Sequence, residues 1–373
     1  MMSWKWSFWY GKSRLATGRV LPVIVFMLIA MSITVLPANM LLSKNINSGS
    51  QWIQLTPLPE NLGLAGVYAG VSQASLLVAG GANFPGKMPW EGGKKVWYDT
   101  IYMLDHPDGQ WKMAGRLPRA LGYGVSVSYK DAVICVGGSD ALRHHPDCFR
   151  LRMKNGKCVV EPLPSLPIPL ALMSGALVSN VLYIAGGCEV PGESLAVNSF
   201  FGLDLESSNL TWQPLHPIPG EGRLLACAAG YDDAFYLFGG AALRTNAQGK
   251  VLRVYLREAL SYRKKTGWTR LPEMPKPCVA APSPVPRIDG CFWLLSGDDG
   301  SLIDFKPLDK HPGFPKTILK YDPTNNRWGR AGEVPAPRAT TPCVEWNRLY
   351  VVPSGEVRPG VRSPEIWGYN LDR

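Results

Sequence analysis

Charge is scarce in this chain. Asp, Glu, Lys and Arg together make up only 18% of 373 residues. Beyond the N-terminus no Lys/Arg run is interleaved with aromatics, and no nucleic-acid-binding motif is present. Paired cysteines are missing too. Cys135, Cys148, Cys158, Cys188, Cys227, Cys278, Cys291 and Cys343 leave no Cys-x-x-Cys spacing, which argues against zinc. Most of them lie inside apolar runs and read as small core residues. Cys148 and Cys158 flank an expected hairpin. If Asn155-Gly156 is its two-residue turn, Cys158 faces Met153 and a disulfide to Cys148 is disfavoured. No long window carries a helical period, which excludes a helix-rich fold.

What is abundant is Gly (39), Pro (33) and Trp (13). Short apolar runs ending in Gly recur along the chain, a pattern that reads as all-β. The formal net charge of +10 leaves two readings open, a generally basic surface or an anionic small ligand. Lys5, Lys12, Arg14 and Arg19 precede an apolar run over residues 20–36, then Pro37 and Ala38. Basic flank, apolar core and small residue describe a secretory signal, and the run is also near the lower limit for a membrane anchor. Residues 1–45 are therefore set apart as signal peptide or N-terminal anchor, and 46–373 as the folded part. The expected location is exported: periplasmic, or anchored to the membrane facing the periplasm.

A repeat organises everything after residue 50. Apolar runs end in "LLVAGG", "VICVGG", "LYIAGG" and "FYLFGG", with weaker copies "FWLLSG" and "LYVVPSG". A strand-like segment follows each, and then, in most units, a Trp-led one with Trp111, Trp212, Trp268 or Trp328. Four short strands per unit and a period of about 50–60 residues fit a kelch-type propeller blade. Six such units predict a six-bladed β-propeller. The Gly pair belongs where strands converge on the axis and a Cβ would collide with the next blade. The last unit is one strand short, and "QWIQLTPLP" near the N-terminus is the missing strand. The ring is thus expected to close by the N-terminal strand completing the last blade, which removes two exposed sheet edges.

Loops after the Gly pairs gather at one mouth of the channel, where propellers carry their sites. Two are rich in chemistry: "GGANFPGKMPWEGGKKVWYD" and "SGEVRPGVRSPE". Both resemble signature segments of the N-acetylneuraminate epimerase (sialic acid mutarotase) family, exported six-bladed kelch propellers. The resemblance extends over about residues 51–373. In better-known members the segment like "GEVRPGVR" precedes the one like "GGANFP", so this chain resembles a cyclically permuted branch. The resemblance implies a catalytic Glu at Glu356 and a site Arg at Arg362. It implies an anionic sugar, sialic acid, as partner, and no nucleic acid. The membrane is reached only through an N-terminal anchor.

Anomer exchange of a 2-keto sugar acid needs one proton taken from the anomeric hydroxyl and one delivered to the ring oxygen. No cofactor or metal is called for. A carboxylate supplies the base, and an Arg fork suits the substrate carboxylate. Glu356 and Arg362 offer one of each, or else pair only to brace a bent loop. Arg358, Lys94, Lys95 and Arg119 are further anion-holding candidates. Lys94 and Lys95 read equally as a solvated edge, and Arg119 as a strand brace. Asn83 and Glu91 are candidate substrate contacts, Asn83 alternatively a turn-former. Trp90 either stacks on a sugar or covers a loop. His144-His145 reads as a polar loop. The competing function is a non-enzymatic kelch module binding a glycan or protein at the same mouth. A sialidase would need Asp-box turns, which "YDPTNNRW" is not. A kelch-shaped copper oxidase would need a Tyr/His/Cys constellation that this chain does not assemble.

Overall fold

The structure, a computed structural model, describes residues 51–372 apart from 193 and 194. The expected signal or anchor lies outside the described residues. Six four-stranded antiparallel sheets form the blades of a β-propeller. Blade 1 comprises Tyr68–Ser72, Ser75–Ala79, Thr100–Leu104 and Lys112–Arg116. Blades 2 to 5 follow in chain order, beginning at Val125–Tyr129, Ser174–Val178, Cys227–Tyr231 and Arg287–Ile288. Blade 6 takes Val344–Trp346, Leu349–Pro353 and Ile366–Asn370 from the end of the chain. Its fourth strand is Trp52–Leu55, paired with Ile366–Asn370 in the register Trp52 to Tyr369. The ring closes as the sequence repeat requires.

Closure is built from backbone hydrogen bonds about the axis. The second residue of each Gly pair, or its equivalent, donates its N–H to a carbonyl of the next blade. Gly81 bonds Leu121, Gly138 bonds Leu170, Gly187 bonds Arg223 and Gly240 bonds Cys278, at 2.8–3.0 Å. Gly297 to Arg338 (3.2 Å) and Gly355 to Leu64 (2.9 Å) complete the circle. A second circle lies beside it. Tyr123 N–H donates to Gly66, Leu172 to Tyr123, Leu225 to Leu172, Ala280 to Leu225, Thr340 to Ala280 and Gly66 to Thr340. All six of these residues have left-handed φ values of 53–68°. Five are not glycine, so the ring holds a conformation that single L-residues adopt only at a cost.

The Gly pairs do what the repeat suggests. At Gly186, with φ +68°, a Cβ would sit 2.3 Å from the Arg223 carbonyl oxygen. In blades 5 and 6 the first Gly of the pair is replaced by Ser296 and Ser354, and the side chain takes up a bond instead. Ser354 Oγ accepts the Leu64 N–H at 2.8 Å and donates to a carbonyl, and Ser296 Oγ accepts the Arg338 N–H at 3.2 Å. These apparent lapses of the motif are hydroxyl-bearing variants of the same joint.

Farther from the axis the blades are wedged by aromatics. Trp111, Trp212, Trp268 and Trp328 each donate the indole N–H to a carbonyl just past the outer strand of the preceding blade: Thr56, Pro164, His216 and Pro272, at 2.8–2.9 Å. Tyr183 and Phe200 of blade 3 pack with Phe235, Tyr262 and Trp268 of blade 4. Such rings bring large apolar area and leave one polar tip to satisfy. None of the eight cysteines forms a disulfide. Met153 pairs with Cys158 across the Asn155-Gly156 turn, so Cys148 lies opposite Leu163 instead.

Gly186→Ala should destabilise the protein by at least about 3 kcal/mol, combining left-handed strain with a backbone clash. Gly156→Ala, also left-handed but with open space around it, should cost only about 1–2 kcal/mol. Urea unfolding of the two variants separates joint from turn; equal losses would refute the joint.

Candidate active site

Three short hairpins rise from the blades at the mouth. They are Ala82–Asn83 with Val96–Trp97, Ala241–Thr245 with Val251–Tyr255, and Glu356–Arg358 with Val361–Arg362. With the other post-Gly loops they enclose a cavity of about 470 Å³ on the axis, within the range of small-molecule sites. Its floor is the left-handed ring, for Tyr123, Leu172, Leu225, Ala280 and Thr340 all line it.

Glu356 and Arg362 are direct cross-strand partners in the blade 6 hairpin, so both side chains stand on one face. The hairpin bends at Pro359-Gly360, and Gly360 (φ +81°) donates its N–H to Glu356 Oε1 at 2.6 Å. A Cβ on Gly360 would meet Pro89 and Trp90 of the blade 1 loop. The two loops thus dock on each other although they lie at opposite ends of the sequence. Both charged groups line the cavity. Arg362 is 4% exposed and Glu356 15%, and Nη1 to Oε1 is 3.7 Å. That contact is an ion pair without a tight hydrogen bond. Arg362 Nε and Nη1 are buried with no hydrogen-bond partner in the protein. A buried guanidinium with uncommitted N–H groups is costly unless an acceptor arrives. Among the described residues it is the site's clearest anion receptor.

The floor ring holds both members. Thr340 Oγ1 lies 3.3 Å from Glu356 Oε2, its single hydrogen shared with the closer Ala339 carbonyl (2.8 Å), and Arg362 Nη2 donates to the Tyr123 hydroxyl at 3.3 Å. Aromatic faces carry the cations: Arg362 stacks 4.7 Å from Phe84, and Lys95 Nζ lies 4.7 Å from Tyr123 and 5.4 Å from Trp97. A ring face stabilises a cation without consuming its N–H donors. The donors stay available for an anion.

Several candidates stand elsewhere. Asn83 is buried; it donates to Gly63 O (3.0 Å) and accepts from Tyr98 (2.8 Å), bracing its hairpin away from the cavity. Glu91 is exposed and caps the short 3-10 turn Pro89–Glu91 through the Met88 N–H. Lys94 is exposed, and only its neighbour Lys95 lines the cavity. Arg119 sits on the outer side at His145 (2.8 Å) and Asp147 (3.5 Å). Arg358 reaches over Trp90 to the Asp309 and His311 carbonyls, tying down the rim. Glu365, the fourth charge of the closing segment, binds buried Arg338 at 2.9 Å. Apart from exposed Lys94, each has a local partner away from the cavity.

His144-His145 is buried rather than an open polar loop. His144 lines the cavity, with Nδ1 2.9 Å from the Cys188 carbonyl oxygen, and His145 bonds Asp140 at 2.7 Å. Burial pushes the Asp140 carboxyl up, but the Leu142 and Arg143 N–H groups and His145 outweigh it and hold it at about 2. Asp140 is therefore an anion throughout the working range. Asp298 accepts from Tyr255 at 2.5 Å, and burial followed by that bond raises the Tyr255 phenol well above its ordinary value. Asp140, His144, Arg253, Asp298, Trp97 and Tyr123 line the cavity; the sequence named only His144 among them, and read it as part of a polar loop. The signal was available for all but Tyr123: each lies in the segment that follows a Gly-pair joint or its Ser-Gly equivalent.

Comparison with known proteins adds the following. Residues 38–160 match the model of the N-acetylneuraminate epimerase family, so the resemblance read from the mouth loops stands for that part of the chain. N-acetylneuraminate epimerase of Yersinia pestis (strain Pestoides F) is 46% identical over 85 residues, 20% of this chain and 21% of the relative. Those of Salmonella arizonae and Salmonella enteritidis PT4 are 37% identical over 131 residues and 45% over 100. They cover 31% and 24% of this chain, and 33% and 26% of the relatives. The chain thus spans about a fifth to a third of the length of these curated relatives. A solved structure of YjhT shares the fold, with TM-score 0.59 and 15% identity over 83% of this chain and 94% of that one.

If Asn83 is a brace, Asn83→Ala should lower stability by about 1–3 kcal/mol, since the Tyr98 hydroxyl and Gly63 carbonyl lose a buried partner. Thermal unfolding checks this. Unchanged stability with weakened ligand affinity would return Asn83 to the binding site.

Proposed function

We propose that this protein interconverts the anomers of free N-acetylneuraminate, an isomerisation by acid–base ring opening and closing. The observation that carries the reading is the Glu356–Arg362 cross-strand pair, largely buried yet lining the cavity, with guanidinium donors uncommitted. The partial matches to curated epimerases support it. Cyclic permutation is compatible with it, because in a closed ring neighbouring blades stay neighbours wherever the chain is cut.

The substrate carboxylate sits on Arg362, with Lys95 contributing charge from the Phe84 and Tyr123 aromatics that both cations share. Glu356 takes the anomeric hydroxyl proton. Its Oε1 and Oε2 are aligned by the Gly360 N–H and the Thr340 hydroxyl. As the C2–ring oxygen bond breaks, the C2 carbonyl forms, turns its other face and is re-attacked. No step draws on a cofactor. The cationic wall is worth most at Arg362, whose guanidinium is 4% exposed and little screened by water. Export supports the same role, and the basic flank and apolar run at the N-terminus support export.

Dissolving a crystalline single anomer and following its equilibration by proton NMR tests the reading. The protein should accelerate exchange, and Glu356→Gln should slow the catalysed rate by at least about 10²-fold. A parent protein without effect on the rate, while still binding glycan at the mouth, would favour a binding module instead. A fusion of residues 1–50 to a reporter active only in the periplasm should be active; an inactive fusion would refute export.

A further inference from the structure

Anomer exchange needs a second proton-transfer group beside Glu356, one that serves the ring oxygen. We infer that this group is Tyr123, an inference that rests on the proposed reaction. Its hydroxyl accepts from Arg362 Nη2 at 3.3 Å. Among the described residues no acceptor takes its own hydrogen, and the side chain lines the cavity. The phenol is therefore placed to donate inward.

The placement matches the substrate. One guanidinium touches both groups: Nη1 faces the Glu356 carboxylate and Nη2 the Tyr123 hydroxyl. Base and acid lie side by side on it. The anomeric hydroxyl and the ring oxygen are likewise side by side, bonded to the same carbon. Tyr123 is also the only member of the left-handed floor ring with an ionisable side chain; the others are Gly66, Leu172, Leu225, Ala280 and Thr340. Both neighbours of Gly66 in that ring, Tyr123 and Thr340, reach the pair.

The step balances. Glu356 takes the anomeric O–H proton, the C2–ring oxygen bond breaks as the C2=O bond forms, and Tyr123 gives its O–H proton to the departing ring oxygen. The phenolate so formed lies against Arg362, with Lys95 over its ring. After the carbonyl turns over, the hydroxyl adds back, Tyr123 regains its proton and Glu356 returns the other. No oxidant, reductant or co-reactant enters.

The test is NMR anomer exchange with the parent, Tyr123→Phe, and a variant carrying 3-fluorotyrosine at position 123. Phe keeps the ring packing and the backbone requirement. Its kcat should fall by about 10²–10⁴-fold with KM nearly unchanged. Fluorotyrosine, a more acidic phenol, should stay active and move the alkaline limb of the kcat profile to lower pH. The other titratable groups at the cavity are Lys95, Asp140, His144, Asp298 and Glu356, with Arg253 and Arg362 as fixed cations; none of them changes in that variant. Tyr123→Phe with parental kcat, or with only a raised KM, would overturn the assignment while leaving the activity standing. A parent that does not speed exchange would overturn both. Should Tyr123→Phe fail to fold, the fluorotyrosine profile decides, an unmoved limb ruling Tyr123 out.

Discussion

Six backbone N–H groups, each bonded to the carbonyl of the neighbouring blade, run in an unbroken circle about the axis from Gly66 through Tyr123, Leu172, Leu225 and Ala280 to Thr340. Every member depends on the others, because a ring has no end at which it can fray. The bonds are possible only because all six residues accept a left-handed backbone. That strain persists because the blades around it are locked by a second circle of Gly-pair hydrogen bonds and by the Trp wedges outside. Local cost is over-ruled by the summed packing of six blades.

The site hangs from this circle. Glu356 is tied to it through Thr340 and Arg362 through Tyr123, so the pair is positioned by the ring that joins all six blades. The hairpin carrying both charges is braced from the side by the blade 1 loop, with Gly360 against Pro89 and Trp90. Catalytic groups benefit from such support because small displacements cost rate. The four charges that close the chain divide accordingly. Two face the cavity, Arg358 clamps rim carbonyls, and Glu365 neutralises buried Arg338.

The electrostatic design is asymmetric. The cations at the blade 1 and blade 6 wall lean on aromatic faces, which leave their donors unspent. The carboxylates on the neighbouring blade 2 and blade 5 loops are instead committed: Asp140 to backbone N–H groups and His145, Asp298 to Tyr255. An incoming anion thus meets unsatisfied donors and already satisfied acceptors. That polarity follows from hydrogen-bond accounting rather than from the formal net charge of +10.

The fold was legible because a repeat multiplies weak signals. One Gly pair means little, but six aligned copies with a strand displaced to the other end dictate a closed ring, since every edge must find a partner. Glu356 and Arg362 were legible through a motif in which both residues stand on one short hairpin, where sequence distance and spatial distance agree. Asn83, Glu91, Lys94, Arg119 and Arg358 were not resolved by the same reasoning. Whether a polar side chain turns to the axis or to a carbonyl next door depends on strand phase and on neighbours from other blades. Tyr123 shows the limit most plainly. In sequence it is an aromatic at the start of an ordinary inner strand, and only the circle of hydrogen bonds, made by residues 49 to 274 positions apart, turns it toward Arg362.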